Sequence, residues 1–422
     1  MITCSAGRID ISPEVPCVMG CGDTDIPTGT VRDRLEANVM VLRDSEQKPV
    51  VIVAVAALYV GPGLRAHMEE ALRGAGVPAS RLFMAASHTH YAPMVDDSKP
   101  QLGVVSQANL DRVAGALEEL CGHLLNDSCS RVDVQSGSYL STAAVNRRLP
   151  RLVAGVEKRV RFNAVARAPN LRATHAQPAH VVLLRGSGGD PVAALVQLPC
   201  HPTSLPAGSG HSSHFIGRLR TVLRERYGST LPVVFLQGFS GDLRPPAIAR
   251  PTTAKGRVRR VLLGPWFTAF DEEEYEMWLA KVGRELDGLL DRLDAVPIRQ
   301  ASVRLDSRRV TDSLTTLVKS DDAARHVSAH RVTIGDVHLV GFSAEPVAAY
   351  VPFLDSITAG EACIPVGCID DVFGYAPTDT MVREGGYEAT GFWPHFEIDG
   401  LQPDFERRDK GLLSEAVKGF AQ

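Results

Sequence analysis

The chain has 422 residues, 44% of them hydrophobic and 22% charged, a globular composition long enough for one large domain or two to three ordinary ones. A formal net charge of −4 and an aromatic content of only 6% argue against nucleic acid as a partner, which calls for a basic surface and stacking platforms. The longest apolar run, Pro49 to Val60, is too short to span a bilayer, so no stable membrane anchor is expected.

The opening Met-Ile-Thr-Cys-Ser-Ala lacks the basic and apolar regions of a signal peptide, and none of the eight cysteines forms a CxxC pair. A cytoplasmic protein with buried thiols is the expectation. Met1 to Ser12 alternates loosely and reads as a strand. Leu35 to Arg43 and Val50 to Leu58 read as a strand pair, and Gly61 to Gly74 as an amphipathic helix. A short apolar strand, Arg81 to Ala86, then breaks into Ser87-His88-Thr89-His90. Gln107 to Leu125 is a second helix and Val132 to Leu140 a strand. Leu149 to Pro178 is basic and irregular and reads as a surface wrap. Val181 to Arg185 and Pro191 to Leu198 form a predicted hairpin, whose second strand runs into Cys200-His201. Helix Phe215 to Tyr227 and strand Leu231 to Leu236 follow, the latter feeding Gln237-Gly238-Phe239-Ser240-Gly241-Asp242. A long charged helix covers Glu272 to Leu293, with strands at Ile298 to Leu305 and Val332 to Phe342. The last of these ends in Ser343-Ala344-Glu345, and Pro346 suits the first turn of a helix to Leu354. No repeat or linker interrupts the chain, so residues 1–422 are expected to form a single α/β domain of mixed sheets flanked by helices.

Three strand ends thus present His88, His201 and Glu345. Two imidazoles and a carboxylate are the ligand set of an open catalytic zinc site, in which the metal activates a water. His88 and His90 are two residues apart, so on an extended chain both rings face one side. One ring could then bind a metal while the other stands over it. A hydrogen-bonded structural pair is the plain alternative, and Glu345 could serve a helix dipole alone. Asp242, following a buried strand, is expected to orient a ligand histidine.

The chain resembles the catalytic domain of the neutral, non-lysosomal ceramidases, through pieces that occur in that family's order. They are Ala6-Gly7-Arg8-Ile9-Asp10-Ile11, Ser87-His88-Thr89-His90, Val145-Asn146-Arg147 and His201-Pro202-Thr203-Ser204, then the loop Gln237 to Asp242, Gly341 to Glu345, and a tyrosine pair, Tyr375 and Tyr387. The resemblance implies that His88, His201, Glu345 and Tyr375 hold Zn²⁺. It also implies that His90 moves the proton to the leaving amine, and that Arg147 and Tyr387, beside Tyr375, stabilise the oxyanion. The implied activity is hydrolysis of a carboxamide, a small-molecule N-acyl substrate.

Two departures bear on the substrate. Arg244 stands where the family's loop carries a serine, and His214 where relatives have an aspartate. Arginine prefers a carboxylate or phosphate partner to a lipid hydroxyl. Few exposed apolar stretches and no immunoglobulin-like C-terminal domain are expected. Together these point to a substrate smaller or more polar than ceramide, contacted by Arg244 and His214. The same machinery on an ester or lactone, and a metal-retaining binding protein without turnover, are the alternatives.

Overall fold

The computed structural model describes residues 1–21, 27–154, 160–173, 176–296, 304–320, 322, 324–358 and 360–419. The first strands are β1 (Ile2–Asp10), β2 (Glu36–Arg43), β3 (Pro49–Val55) and β4 (Leu82–Ala86). Next come β5 (Ser130–Ser141), β6 (Val145–Asn146), β7 (Arg148–Ala154), β8 (Val160–Arg167), β9 (Gln177–Arg185), β10 (Pro191–Leu198), β11 (Val233–Gln237) and β12 (Leu243–Arg244). The last third carries β13 (Leu305–Ser313), β14 (Val318–Lys319), β15 (His326–Ile334), β16 (Val337–Phe342), β17 (Glu345–Pro346), β18 (Ala362–Val366) and β19 (Tyr375–Ala376).

An eight-stranded sheet runs in the order β11-β10-β9-β5-β1-β2-β3-β4, and a four-stranded one in the order β13-β15-β16-β18. Both are mixed: β3 with β4, β10 with β11, and β16 with β18 pair in parallel, while their other neighbours are antiparallel. The protein is therefore a mixed α/β fold. Strand alternation sends successive side chains into different cores. On β3, Val50, Ile52 and Ala54 pack with residues of the four-stranded sheet, including Leu339 and Ile364. The intervening Val51, Val53 and Val55 lie in a second cluster with α1 (Gly61–Arg73) and α2 (Gln107–Asn126). On β10 and β11, Ala194, Val196, Val233 and Phe235 share a third with α3 (Phe215–Tyr227) and a long helix (Glu272–Asp294). With both faces covered, the strands read as continuous apolar runs.

Three local expectations change. Leu149 to Pro178 is no loose wrap: its described residues include the hairpin β7–β8, paired from Arg148↔Arg167 to Ala154↔Val160 with one register shift between Arg151 and Val153. Pro346 does not start a helix. It lies in β17, paired with β19, and the helix begins only at Val351 after a 3-10 turn. The run from Val332 to Phe342 is the end of β15 and all of β16, joined by a turn in which Gly335 has φ +63°. The strand expected over Ile298 to Leu305 lies almost wholly outside the described residues, and the described strand begins at Leu305. One exposed apolar stretch, Val258, Val261, Leu262 and Leu263, occupies the helix Ala254–Leu263. Among the described residues no helix is long and apolar enough to cross a membrane.

Candidate metal centre and its arginine rim

Five chain segments meet where strands end. His88 follows β4, His201 follows β10, Ser240 follows β11, Glu345 opens β17, and Tyr375 opens β19, directly paired with Glu345. His88 does not continue the strand. Its φ is +63°, a left-handed conformation that is uncommon for a side-chain-bearing residue and turns the backbone sharply. The two histidines of His88-Thr89-His90 are thus gathered by a turn rather than by extended geometry, with ring centroids 5.1 Å apart. The loop before Asp242 can approach this closely because Gly241 has no Cβ: one built there would come within 2.5 Å of the Glu345 carbonyl oxygen.

His88 Nε2 lies 3.1 Å from His201 Nε2, and Glu345 Oε2 lies 3.3 Å and 3.2 Å from them. All three residues are buried. Each imidazole turns its Nδ1 toward a backbone carbonyl, His88 toward Leu58 at 3.2 Å and His201 toward Ser240 at 3.0 Å. A carbonyl only accepts, so each Nδ1 carries the hydrogen and each Nε2 presents a lone pair. Two imidazole lone pairs and a carboxylate oxygen therefore converge, an arrangement that calls for a cation. Metal bonds of about 2.0–2.1 Å arranged tetrahedrally would space their ligands about 3.3 Å apart, close to what is seen. Tyr375 brings its hydroxyl to 3.5 Å from His201 Nε2. The ligand atoms of His88, His90 and His201 lie within 4.8 Å of one another, and His90 Nε2 is buried without a hydrogen-bond partner.

The protonation landscape follows from burial and charge. Burial opposes charge on His88, but Cys368 and Glu345 outweigh it and raise its pKa well above the ordinary value, so a proton competes with a cation for the Nε2 lone pair. Burial would raise Glu345, yet His88 and His201 hold it well below the carboxylate range. Burial and then the neighbouring charges of His88 and His201 keep His90 neutral. His201 falls to about 3 through burial and the charge of Arg147.

Arg147 is 1% exposed and donates through Nε to Glu388 at 2.7 Å, while Arg148 donates to the other Glu388 oxygen at 2.8 Å. The Arg147 guanidinium carbon stands 5.3 Å from the ring centre of Tyr375 and 5.7 Å from that of Tyr387, and its Nη2 is buried without a partner. The tyrosine rings are 5.5 Å apart. The structure thus brings together His88, His90, His201, Glu345, Tyr375, Arg147 and Tyr387.

Two expected site residues behave differently. Asp242 orients no histidine; carbonyl oxygens do that. Its carboxylate accepts from Asn146 at 2.7 Å and from the Ala348 amide at 2.8 Å, tying β6 to the segment after Glu345. His214 lies among Tyr91, Phe215, Tyr275 and Trp278 and donates from Nε2 to the Thr203 carbonyl at 2.9 Å. Burial lowers it to about 3, so it packs as a neutral ring at the start of α3 against Tyr275 and Trp278 of the helix Glu272–Asp294 rather than facing the histidine cluster. Arg244 is half-buried on β12, donates to Ser204 Oγ, and stacks 4.3 Å from the Phe267 ring centre.

Sequence reading missed Tyr59, whose hydroxyl donates to Glu345 Oε1 and whose ring is 5.3 Å from that of His88. It also missed Glu388 and Arg167, the latter with its guanidinium carbon 4.9 Å from the Tyr387 ring centre. Tyr59 lies next to the end of the apolar run Pro49 to Val60, four residues past β3, a signal similar to the one that marked His88.

In structure, the chain is similar to the neutral ceramidase from Pseudomonas aeruginosa, with a TM-score of 0.74 and 14% identity over 100% of this chain and 74% of that one. It is similar also to a ceramidase complexed with C2, with a TM-score of 0.75 and 14% identity over 98% of this chain and 74% of the other. At this identity the likeness is one of fold. No family model matches the sequence. No curated protein matches it.

Proposed function

We propose that the chain is a zinc-dependent hydrolase of a linear carboxamide, acting on a small N-acyl substrate that is smaller or more polar than ceramide. One observation carries this reading: the lone pairs of His88 Nε2, His201 Nε2 and Glu345 Oε2 converge beside an Arg147 nitrogen with no partner. Two imidazoles, a carboxylate and a phenol suit Zn²⁺. Bound there, the ion would polarise the scissile carbonyl and lower the pKa of the attacking water.

The other tasks fall to side chains. Arg147 Nη2 and the Tyr387 hydroxyl would donate to the carbonyl oxygen as it gains negative charge, a stabilisation that is strong in a buried site. Arg147 stays protonated because Tyr375 and Glu388 outweigh its burial. His90, kept neutral, would accept a proton from water and deliver it to the nitrogen, which leaves as an amine only once protonated. The C–N bond breaks, the acyl carbon takes oxygen from water, and the products are a carboxylate and an amine. The eight cysteines are all free thiols, which supports a reducing, cytoplasmic site of action. The shared cores of the described strands and helices support one catalytic unit over residues 1–422.

The test is metal analysis together with hydrolysis of a panel of N-acyl substrates. Chelator-sensitive amide cleavage restored by Zn²⁺ is expected, with His90→Ala retaining zinc and losing about a hundredfold in rate. Metal loss in His90→Ala would make His90 a ligand. Zinc binding with no turnover of any amide would sink the hydrolase reading.

A further inference from the structure

Most arginines buried elsewhere meet carboxylates, and Arg43, which meets the Leu125 carbonyl instead, is an exception. Arg65 pairs with Asp370, Arg185 with Asp294, and Arg220 and Arg224 with Glu36. At the metal centre Arg147 and Arg148 share Glu388. Two further arginines beside them have no carboxylate among the described residues. Arg167 faces Arg148 across the β7–β8 ladder, is exposed, and rests on the Tyr387 ring. Arg244 pairs with Val145 across β12–β6, two residues before Arg147, and is tethered to Ser204, three residues after His201. Its Nε is buried without a partner.

From this placement we infer that Arg244 and Arg167 form an anion-recognition subsite that binds a carboxylate on the amide substrate. The inference rests on the amide-hydrolase reading for the identity of the bound molecule, whereas the unpaired guanidinium of Arg244 does not depend on it. A guanidinium fork lacking its countercharge in a partly desolvated place is costly unless a planar oxyanion arrives to bind it. Arg244 carries that cost: burial, followed by the charges of Arg167 and Arg147, lowers it to about 9, so it remains a cation at neutral pH. A carboxylate between Arg244 and Arg167 would relieve the repulsion and place the rest of the molecule alongside Tyr387 and Arg147. The substrate class is an amide with a free acid, on the amine side as in an N-acyl amino acid or on the acyl side as in a dicarboxylic acid monoamide.

The experiment uses matched pairs: N-hexanoylglycine against N-hexanoylglycinamide, and adipic acid monoamide against hexanamide. The zinc-loaded chain should prefer one of the two acids to its neutral partner. Arg244→Ala and Arg167→Ala should each shrink that preference in kcat/KM by about tenfold to a hundredfold. Melting temperature and zinc content serve as folding controls. The acid that shows the effect identifies the side of the scissile bond that bears the carboxylate.

Calorimetric binding of the same pairs to chelator-treated chain removes any direct carboxylate–metal contact. Preference for the acid, lost in Arg244→Ala, is expected there too. Equal binding of acid and neutral partners would overturn the subsite, even if amides are hydrolysed. Acid-selective binding without turnover of any amide would leave the subsite standing and remove the hydrolase.

Discussion

The two ends of the candidate site are electrostatic opposites. At one, His88, His201 and Glu345 aim electron pairs at a common point, with the histidine tautomers fixed by the Leu58 and Ser240 carbonyls. At the other, Arg147, Arg167 and Arg244 gather with one carboxylate, Glu388, which Arg148 also draws on. Each end is locally unbalanced, and the imbalances have opposite sign. A folded chain tolerates such frustration where a ligand completes the balance. One end calls for a metal cation, the other for an anion, and an acid-bearing amide bound with zinc would supply both.

The strongest way to break this comparison is at Arg147, which borders both ends. Arg147→Lys keeps the charge but loses the fork. It is expected to lower kcat about a hundredfold with zinc content unchanged. A change under about threefold would make Arg147 a packing residue held by Glu388. A smaller effect is expected at Tyr59, which touches only the metal end through Glu345. Tyr59→Phe should weaken zinc about tenfold, measured by competition with a chromogenic chelator. Unchanged affinity would show that Glu345 is oriented without it.

The mildest effect sharpens the contrast through a region with no proposed guest. Glu36 is 6% exposed and accepts both nitrogens of the Arg224 fork at 2.7 Å, with Arg8 at 3.1 Å. Burial alone would raise its pKa, but Arg224, Arg220 and Arg8 bring it down to about 2 from 4.5. A carboxylate depressed on folding stabilises above its unfolded pKa and loses that contribution as pH falls. Glu36 should therefore give up on the order of 2–3 kcal/mol between about pH 4.5 and 2. Unfolding of Glu36→Gln by denaturant should depend less steeply on pH across that window. Parallel curves for the two proteins would remove Glu36 from the acid response.

The three ligand candidates legible from local pattern share one property: each ends an apolar strand with a metal-competent side chain. His88 after Leu82–Ala86, His201 after Pro191–Leu198 and Glu345 after Val337–Phe342 were visible because period and polarity change abruptly there. Most of the α/β order was legible for the same reason. Tyr59 carried that signal and was passed over, since a tyrosine after valines reads as packing. The β7–β8 hairpin was missed because backbone pairing defines it while its sequence is basic and broken by proline. Asp242 and His214 were misjudged because a polar residue after a buried strand, or at a helix start, looks alike whether it faces a site or the core.

The sequence by itself determined where most of the strands and helices fall along the chain, the chemical types available at the strand ends and the presence of an arginine where a serine was expected. Only the tertiary structure decided which lone pairs meet, which tautomers the carbonyls impose, and that Arg167 on the Tyr387 ring and Arg244 opposite Val145 both border Arg147 with no ion pair of their own among the described residues. The reason is geometric. Local pattern fixes how each segment buries itself, but the distance between His88 and His201, or between β8 and β12, is set by how whole sheets pack, and charge balance depends on those distances.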